Sequence, residues 1–172
     1  MSSRPIHVVV MGVAGCGKSA VGEQLAERLQ LPLVEGDDFH PAANIAKMRQ
    51  GLPLEDSDRA AWLAQLADEL RDRPQGAVLT CSALKRAYRD MLRGAVADLR
   101  FLHLALSPHQ ALERVASRTD HFYPPSLVAS QFETLEDPAG EPGVLVVAAT
   151  ASVERLTQQA VQWLAPQLFN NP

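Results

Sequence analysis

Gly12-Val13-Ala14-Gly15-Cys16-Gly17-Lys18-Ser19 is the stretch that decides the fold. It fits G-x-x-x-x-G-K-S/T, follows the apolar run Ile6 to Met11 and opens a helical pattern, which is the context a phosphate-binding loop requires. The glycines let the backbone double back so that successive N–H groups point into one concavity, and the helix that follows adds its positive end. A triphosphate fits such a cradle. The expected nucleotide contacts are Gly12, Val13, Ala14, Gly15, Cys16, Gly17, Lys18, Ser19 and Ala20, with Lys18 reaching the β- and γ-phosphates and the Ser19 hydroxyl on Mg²⁺. An overlapping match, Gly15 to Ala20 as G-x-G-x-x-A with Asp37 near the ~20-residue offset of a ribose-binding acid, would instead describe a dinucleotide site. That match leaves Gly12, Lys18 and Ser19 unexplained and begins three residues inside the turn.

Outward from the loop, short apolar runs alternate with helical patterns. Ile6 to Met11, Pro32 to Glu35, Ala77 to Cys81, Arg100 to Leu106 and Val144 to Ala148 read as strands, most of them continuously apolar as buried parallel strands are. Helices are expected over Lys18 to Leu29, Asp58 to Arg71, Pro108 to Arg118, Ser126 to Leu135 and, after a Ser152 cap, Ser152 to Leu168. A repeated β/α pattern makes an α/β sandwich of three layers around a parallel sheet. Trp62, Phe101 and Trp163 lie on apolar stripes or strands and read as core.

The chain has 172 residues, 47% of them hydrophobic and 21% charged, with a net charge of −4. One domain spanning residues 1–172 suits that length. The charge argues against a general grip on nucleic acid or an anionic membrane surface. No apolar stretch approaches a membrane span and the N-terminus lacks a signal peptide, so the cytoplasm is the expected compartment. Cys16 and Cys81, the only two cysteines, lack metal-binding spacing and are expected to be reduced thiols.

In open α/β sheets ligands bind beyond the carboxyl ends of the strands, so Glu35-Gly36-Asp37-Asp38-Phe39-His40-Pro41, at the end of the second strand, should face the phosphate loop. A carboxylate there can hold Mg²⁺ through water or accept the proton of an attacking hydroxyl; Asp37 and Asp38 can also cap a helix after Pro41. The third strand ends without the acid of a Walker B motif, leaving Glu35 or Asp37 to supply it. Beyond that strand, Lys85 and Arg89 at i and i+4 would share a helix face able to hold an anionic group. Arg114 and Arg118 read as solvated charges on an exposed helix face, and His40 and His121 as either sugar-hydroxyl contacts or capping residues.

The loop MGVAGCGKS and the runs GDDFHPAANIAKMRQGLPLEDSDRAAWL, CSALKRAYRDMLR and HFYPPSLVASQFETLEDP together resemble the gluconate kinases, a family of the shikimate-kinase and adenylate-kinase-like P-loop group. The resemblance covers about residues 7–148. It implies ATP- and Mg²⁺-dependent phosphorylation of the 6-hydroxyl of D-gluconate, a five-stranded parallel sheet in the order 2-3-1-4-5, a short lid over about residues 119–125, and a homodimer. It further implies Asp37 as proton acceptor, Glu35 as a magnesium acid acting through water, and Arg59, Lys85 and Arg89 near the sugar acid. Arg118 would cover the adenine and the transferring phosphate. The alternatives that keep the same loop are a kinase for shikimate or a nucleoside monophosphate, and a nucleotide-dependent switch. A switch is disfavoured by the lack of an N-K-x-D signature and of a second domain to move.

Overall fold

Strand β1 (Ile6–Met11) is buried at every position, because its alternate side chains enter two different cores. Ile6, Val8 and Val10 face one side and Val9 and Met11 the other, the pattern of a strand covered by helices on both faces. The computed structural model describes residues 4–117 and 124–169. Around β1 the chain lays down α1 (Lys18–Leu29), β2 (Leu33–Glu35), a 3₁₀ turn (Gly36–Phe39), α2 (Ala42–Arg49), α3 (Asp56–Arg71), β3 (Gly76–Thr80) and α4 (Arg86–Arg93). It continues through β4 (Arg100–Ala105), α5 (Pro108–Ser117), α6 (Ser126–Thr134), β5 (Val144–Ala148) and α7 (Val153–Phe169).

All four strand pairings are parallel and the order is β2-β3-β1-β4-β5. The expected sheet is therefore the observed one. Helices α1, α5, α6 and α7 cover one face, where Val21, Leu25, Val115, Val128, Leu156, Ala160 and Leu164 pack on Val8, Val10, Leu102 and Leu104. Helices α3 and α4 cover the other through Trp62, Leu63, Leu66, Leu70, Tyr88 and Leu92. Trp62 and Phe101 are core as expected, while Trp163 is only partly buried at the margin. The Ser152 cap is present, its Oγ accepting from the Arg155 N–H at 3.2 Å. Helix α3 starts at Asp56, two residues before the expected start, with the Asp58 carboxylate accepting from the Glu55 N–H at 2.8 Å.

Both cysteines are buried free thiols, and burial pushes Cys81 up to about 12. Among the described residues no helix is long and apolar enough to cross a membrane. The expected lid over residues 119–125 falls mainly on positions outside the described residues, as do Arg118 and His121.

Candidate active site

Glycine at two positions shapes the site. Gly17, the N-cap of α1, has φ +96 with open space where a side chain would stand, so the loop turns there in the left-handed region and leaves its concavity clear. Gly36 lies so close to β3 that a Cβ would stand 2.1 Å from the Thr80 carbonyl oxygen; only glycine lets the end of β2 approach that strand.

The two turns open on one cavity of about 260 Å³, lined by Gly17, Lys18, Ser19 and Ala20 from the phosphate loop, by Asp37, His40, Arg59 and Trp62, and by Ser82 and Gln131. The structure thus brings together Lys18, Ser19, Asp37, His40 and Arg59. Ala14 also reaches the cavity, while Val13 and Cys16 turn their side chains into the core and contribute backbone. Lys18 Nζ donates to the Gly12 and Val13 carbonyls at 3.0 and 3.1 Å, which holds its charge across the mouth of the loop. The Ala14 N–H donates to Gln131 Oε1 at 2.6 Å, tying α6 to the loop.

On the acidic side, Glu35 Oε2 accepts from Ser19 Oγ at 3.2 Å and from Thr80 Oγ1 at 2.7 Å. Thr80 Oγ1 in turn accepts from the Gly36 N–H at 3.2 Å. A threonine thus occupies the strand end where a Walker B acid would stand, and it orients the acid supplied from β2. No group of three or more metal-ligating side chains occurs among the described residues. Mg²⁺ in kinases needs none, since it keeps several waters and binds through one or two protein oxygens plus phosphate. The Ser19 hydroxyl and Glu35 carboxylate, both hard oxygen donors at the loop, fit it.

Asp37 and Asp38 sit in the 3₁₀ turn, and only Asp37 lines the cavity. Neither caps the following helix: α2 has Pro41 as its N-cap and no side-chain cap. Arg59, 9% exposed, donates from Nη1 to the Leu54 carbonyl at 2.8 Å and to Tyr88 Oη at 3.2 Å. Its Nε and Nη2 carry no hydrogen bond among the described residues and remain available to an anion.

The pairing of Lys85 with Arg89 as one substrate-facing surface is corrected. Lys85 is the N-cap of α4, with φ −102 and ψ 149, so the i, i+4 geometry of a helix does not apply to it. Its Nζ lies 2.9 Å from Asp56 Oδ1, outside the cavity lining; that bond and the charge of Tyr88 raise its pKa, and Asp56 is lowered by the hydroxyl of Tyr88 and by Lys85. Arg89 is fully buried. It donates to Glu141 at 3.0 and 2.6 Å and to the carbonyls of Ala83, Leu84 and Glu136 at 2.7, 3.1 and 3.0 Å. A guanidinium has five N–H donors, and all are taken. Arg114 is likewise not a solvated charge, because it donates to the Gly15 and Ala149 carbonyls at 3.3 and 2.8 Å and clasps the phosphate loop to the end of β5.

Sequence reasoning missed Trp62, Thr80 and Gln131 as site residues. For Trp62 a signal existed: it stands three residues after Arg59 on α3, hence on the same helix face.

A family model for the AAA domain matches residues 8–142. The gluconokinase of Gluconobacter oxydans is 43% identical over 165 residues, covering 94% of this chain and 93% of that protein. The chain belongs to the gluconokinase family. The thermosensitive gluconokinase of Escherichia coli is 39% identical over 90% of this chain and 84% of its own length. The crystal structure of a gluconokinase from Sinorhizobium meliloti superposes with a TM-score of 0.88 at 44% identity, covering 96% of this chain and 95% of that one. Gluconokinase-family membership also accounts for the order of the four sequence runs along the chain.

Proposed function

We propose that this chain transfers the γ-phosphoryl group of ATP to the 6-hydroxyl of D-gluconate, giving 6-phospho-D-gluconate and ADP. The observation that carries the reading is the single cavity holding a phosphate-loop lysine, a carboxylate and an arginine with open donors. Residues Gly12 to Ala20 hold the phosphates. Lys18 exchanges its two loop carbonyls for phosphate oxygens, stabilising charge that develops on the transferring group. Asp37 accepts the proton of the acceptor hydroxyl as its oxygen attacks the γ-phosphorus and the bond to the β,γ-bridging oxygen breaks, releasing ADP. Arg59 holds the sugar-acid carboxylate through Nε and Nη2. Ser19, and Glu35 through water, would hold Mg²⁺, which would supply positive charge to offset that of the phosphates.

The whole chain is read as one kinase domain. The resemblance supports a homodimer, and the net charge of −4 supports the absence of a nucleic-acid role. Light scattering on the purified chain tests the dimer. For the reaction, acceptor-dependent ADP release is measured with gluconate, glucose, shikimate and AMP. Gluconate is expected to dominate. Comparable turnover of shikimate or AMP would assign a different kinase, and ADP release indifferent to every acceptor would assign a switch.

A further inference from the structure

His40 lines the cavity with a side chain only 6% exposed, and its two ring nitrogens meet different partners. Nε2 lies 3.6 Å from Asp37 Oδ1, and Nδ1 lies 3.3 Å from Asn44 Nδ2. The same Asn44 Nδ2 donates to the Asp58 carbonyl oxygen at 2.9 Å. A carbonyl only accepts, so that amide atom is the nitrogen; an amide nitrogen only donates, so His40 Nδ1 is the acceptor. The proton of the neutral ring is therefore on Nε2, the nitrogen that faces Asp37. Trp62 fixes the plane, stacking on the imidazole at 4.1 Å with 15° between the rings. The Trp62 indole N–H also donates to the Gly36 carbonyl at 2.8 Å, so one side chain holds both the His40 ring and the backbone that carries Asp37.

We propose that His40 is a positioning residue for the proton acceptor: held by Asn44 as its Nε2–H tautomer, it donates to Oδ1 of Asp37 and so orients the carboxylate that takes the acceptor's proton. This assigns His40 to the carboxylate in place of direct contact with the sugar, and it rests on the reading of Asp37 as the base. The proton lost by the acceptor goes to the Asp37 carboxylate, and His40 keeps its own. At 3.6 Å the two groups are an ion-pair contact just beyond hydrogen-bond range, and a shift of about half an ångström closes the bond, as catalytic hydrogen bonds do in a Michaelis complex. The buried Asn44 and the stacked indole make the ring rigid, as a second layer of partners does for a reacting group.

The test combines kinetics with spectroscopy on the full chain. His40→Phe keeps an aromatic ring on Trp62 and removes the donor; kcat is expected to fall by about 10- to 100-fold, the loss typical of a misplaced reacting group, with KM for gluconate and for ATP within about threefold. His40→Gln, whose amide nitrogen reaches as far as Nε2, should recover most of kcat. In an Asp37→Asn background His40→Phe should cost nothing further, because the two residues act as one unit. Long-range ¹H–¹⁵N spectra should show His40 protonated at Nε2 in the wild type and a mixture of tautomers in Asn44→Leu, which also covers the case of an unstable His40 variant. A raised KM for gluconate with kcat intact, or an Nδ1-protonated ring in the wild type, would overturn the proposal. A wild-type protein inactive on gluconate strikes the proposed reaction instead, while the ring spectrum still decides the tautomer.

Discussion

Replacing Arg89 by Met should unfold the protein at a lower temperature without weakening its hold on substrate. Arg89 and Glu141 are 0% and 6% exposed at their side chains, and Arg93 completes the cluster at 2.9 Å from Glu141. Removing one partner of a buried ion pair costs about 3–5 kcal/mol when the other charge is left unpaired; Arg93 stays on Glu141 and offsets part of that, while three carbonyls, those of Ala83, Leu84 and Glu136, lose donors and add to it. For a chain of 172 residues each kcal/mol moves Tm by ~2–4 °C, so the expected fall is about 6–20 °C. Exchanging both Arg89 and Glu141 for apolar residues of similar volume should recover part of that loss. The assay pairs thermal unfolding, followed by circular dichroism, with steady-state kinetics well below the transition. If Arg89 gripped the sugar acid instead, losing a charge-assisted bond worth ~1.5–3 kcal/mol would raise KM for gluconate about 10- to 150-fold. A Tm unchanged within ~2 °C together with that rise in KM would refute the structural reasoning.

Asp37→Asn should lower kcat by ~10²–10⁴-fold with KM for ATP little altered, while Asp38→Asn, which stands outside the cavity, should stay within about threefold of wild type in the same assay. Gly36→Ala forces a Cβ to 2.1 Å from the Thr80 oxygen, so β2 must move from β3. Its cost should be ~1–3 kcal/mol in urea unfolding, with kcat falling too because Glu35 and Asp37 flank the displaced residue. Burial holds the His103 ring below its ordinary value of 6.5, a trend Asp137 opposes and the charges of Arg89 and Lys18 reinforce, and its Nδ1 is buried with no hydrogen-bond partner among the described residues. The unfolded chain takes up that proton below pH 6.5 and the native ring does not, so stability should decline as pH falls from 6.5 toward the folded pKa. Urea midpoints above and below that pH should differ less in His103→Leu than in wild type.

The sheet was legible because β1, β3 and β4 are buried on both faces and so spell mainly apolar runs, despite His7 and His103 within them. Helices α2 and α4 left weaker marks: each spans only eight residues, and half of α4 is charged. The error at Arg89 has a definite origin. Spacing from Lys85 suggested a shared helix face, yet Lys85 precedes the helix, and the partners that bury Arg89 lie as far as 52 residues away in Glu141. Arg114 was opaque for a related reason, since it binds main-chain carbonyls 99 and 35 residues distant, and carbonyls have no letter in a sequence. Lys18, Ser19 and Asp37 were legible because motif residues at strand ends converge by topology, whereas Arg59, on helix α3, was named only through the family resemblance.

Strand β2 is three residues long, lies at the margin of the sheet and is hydrogen-bonded to β3 alone, through Leu33, Val34 and Glu35. From it hangs the whole of residues 36–59, the stretch that carries Asp37, His40 and Arg59. The phosphate loop, by contrast, grows from the central strand. Heredity is thereby offered two modules with unequal freedom. Beyond Glu35, Gly36 and Asp37, which are tied to β3 and to the phosphate loop, the peripheral module can vary with less disturbance than the centre, where any change reaches both cores at once. A lineage built on this plan can explore new acceptors while its nucleotide chemistry stays fixed.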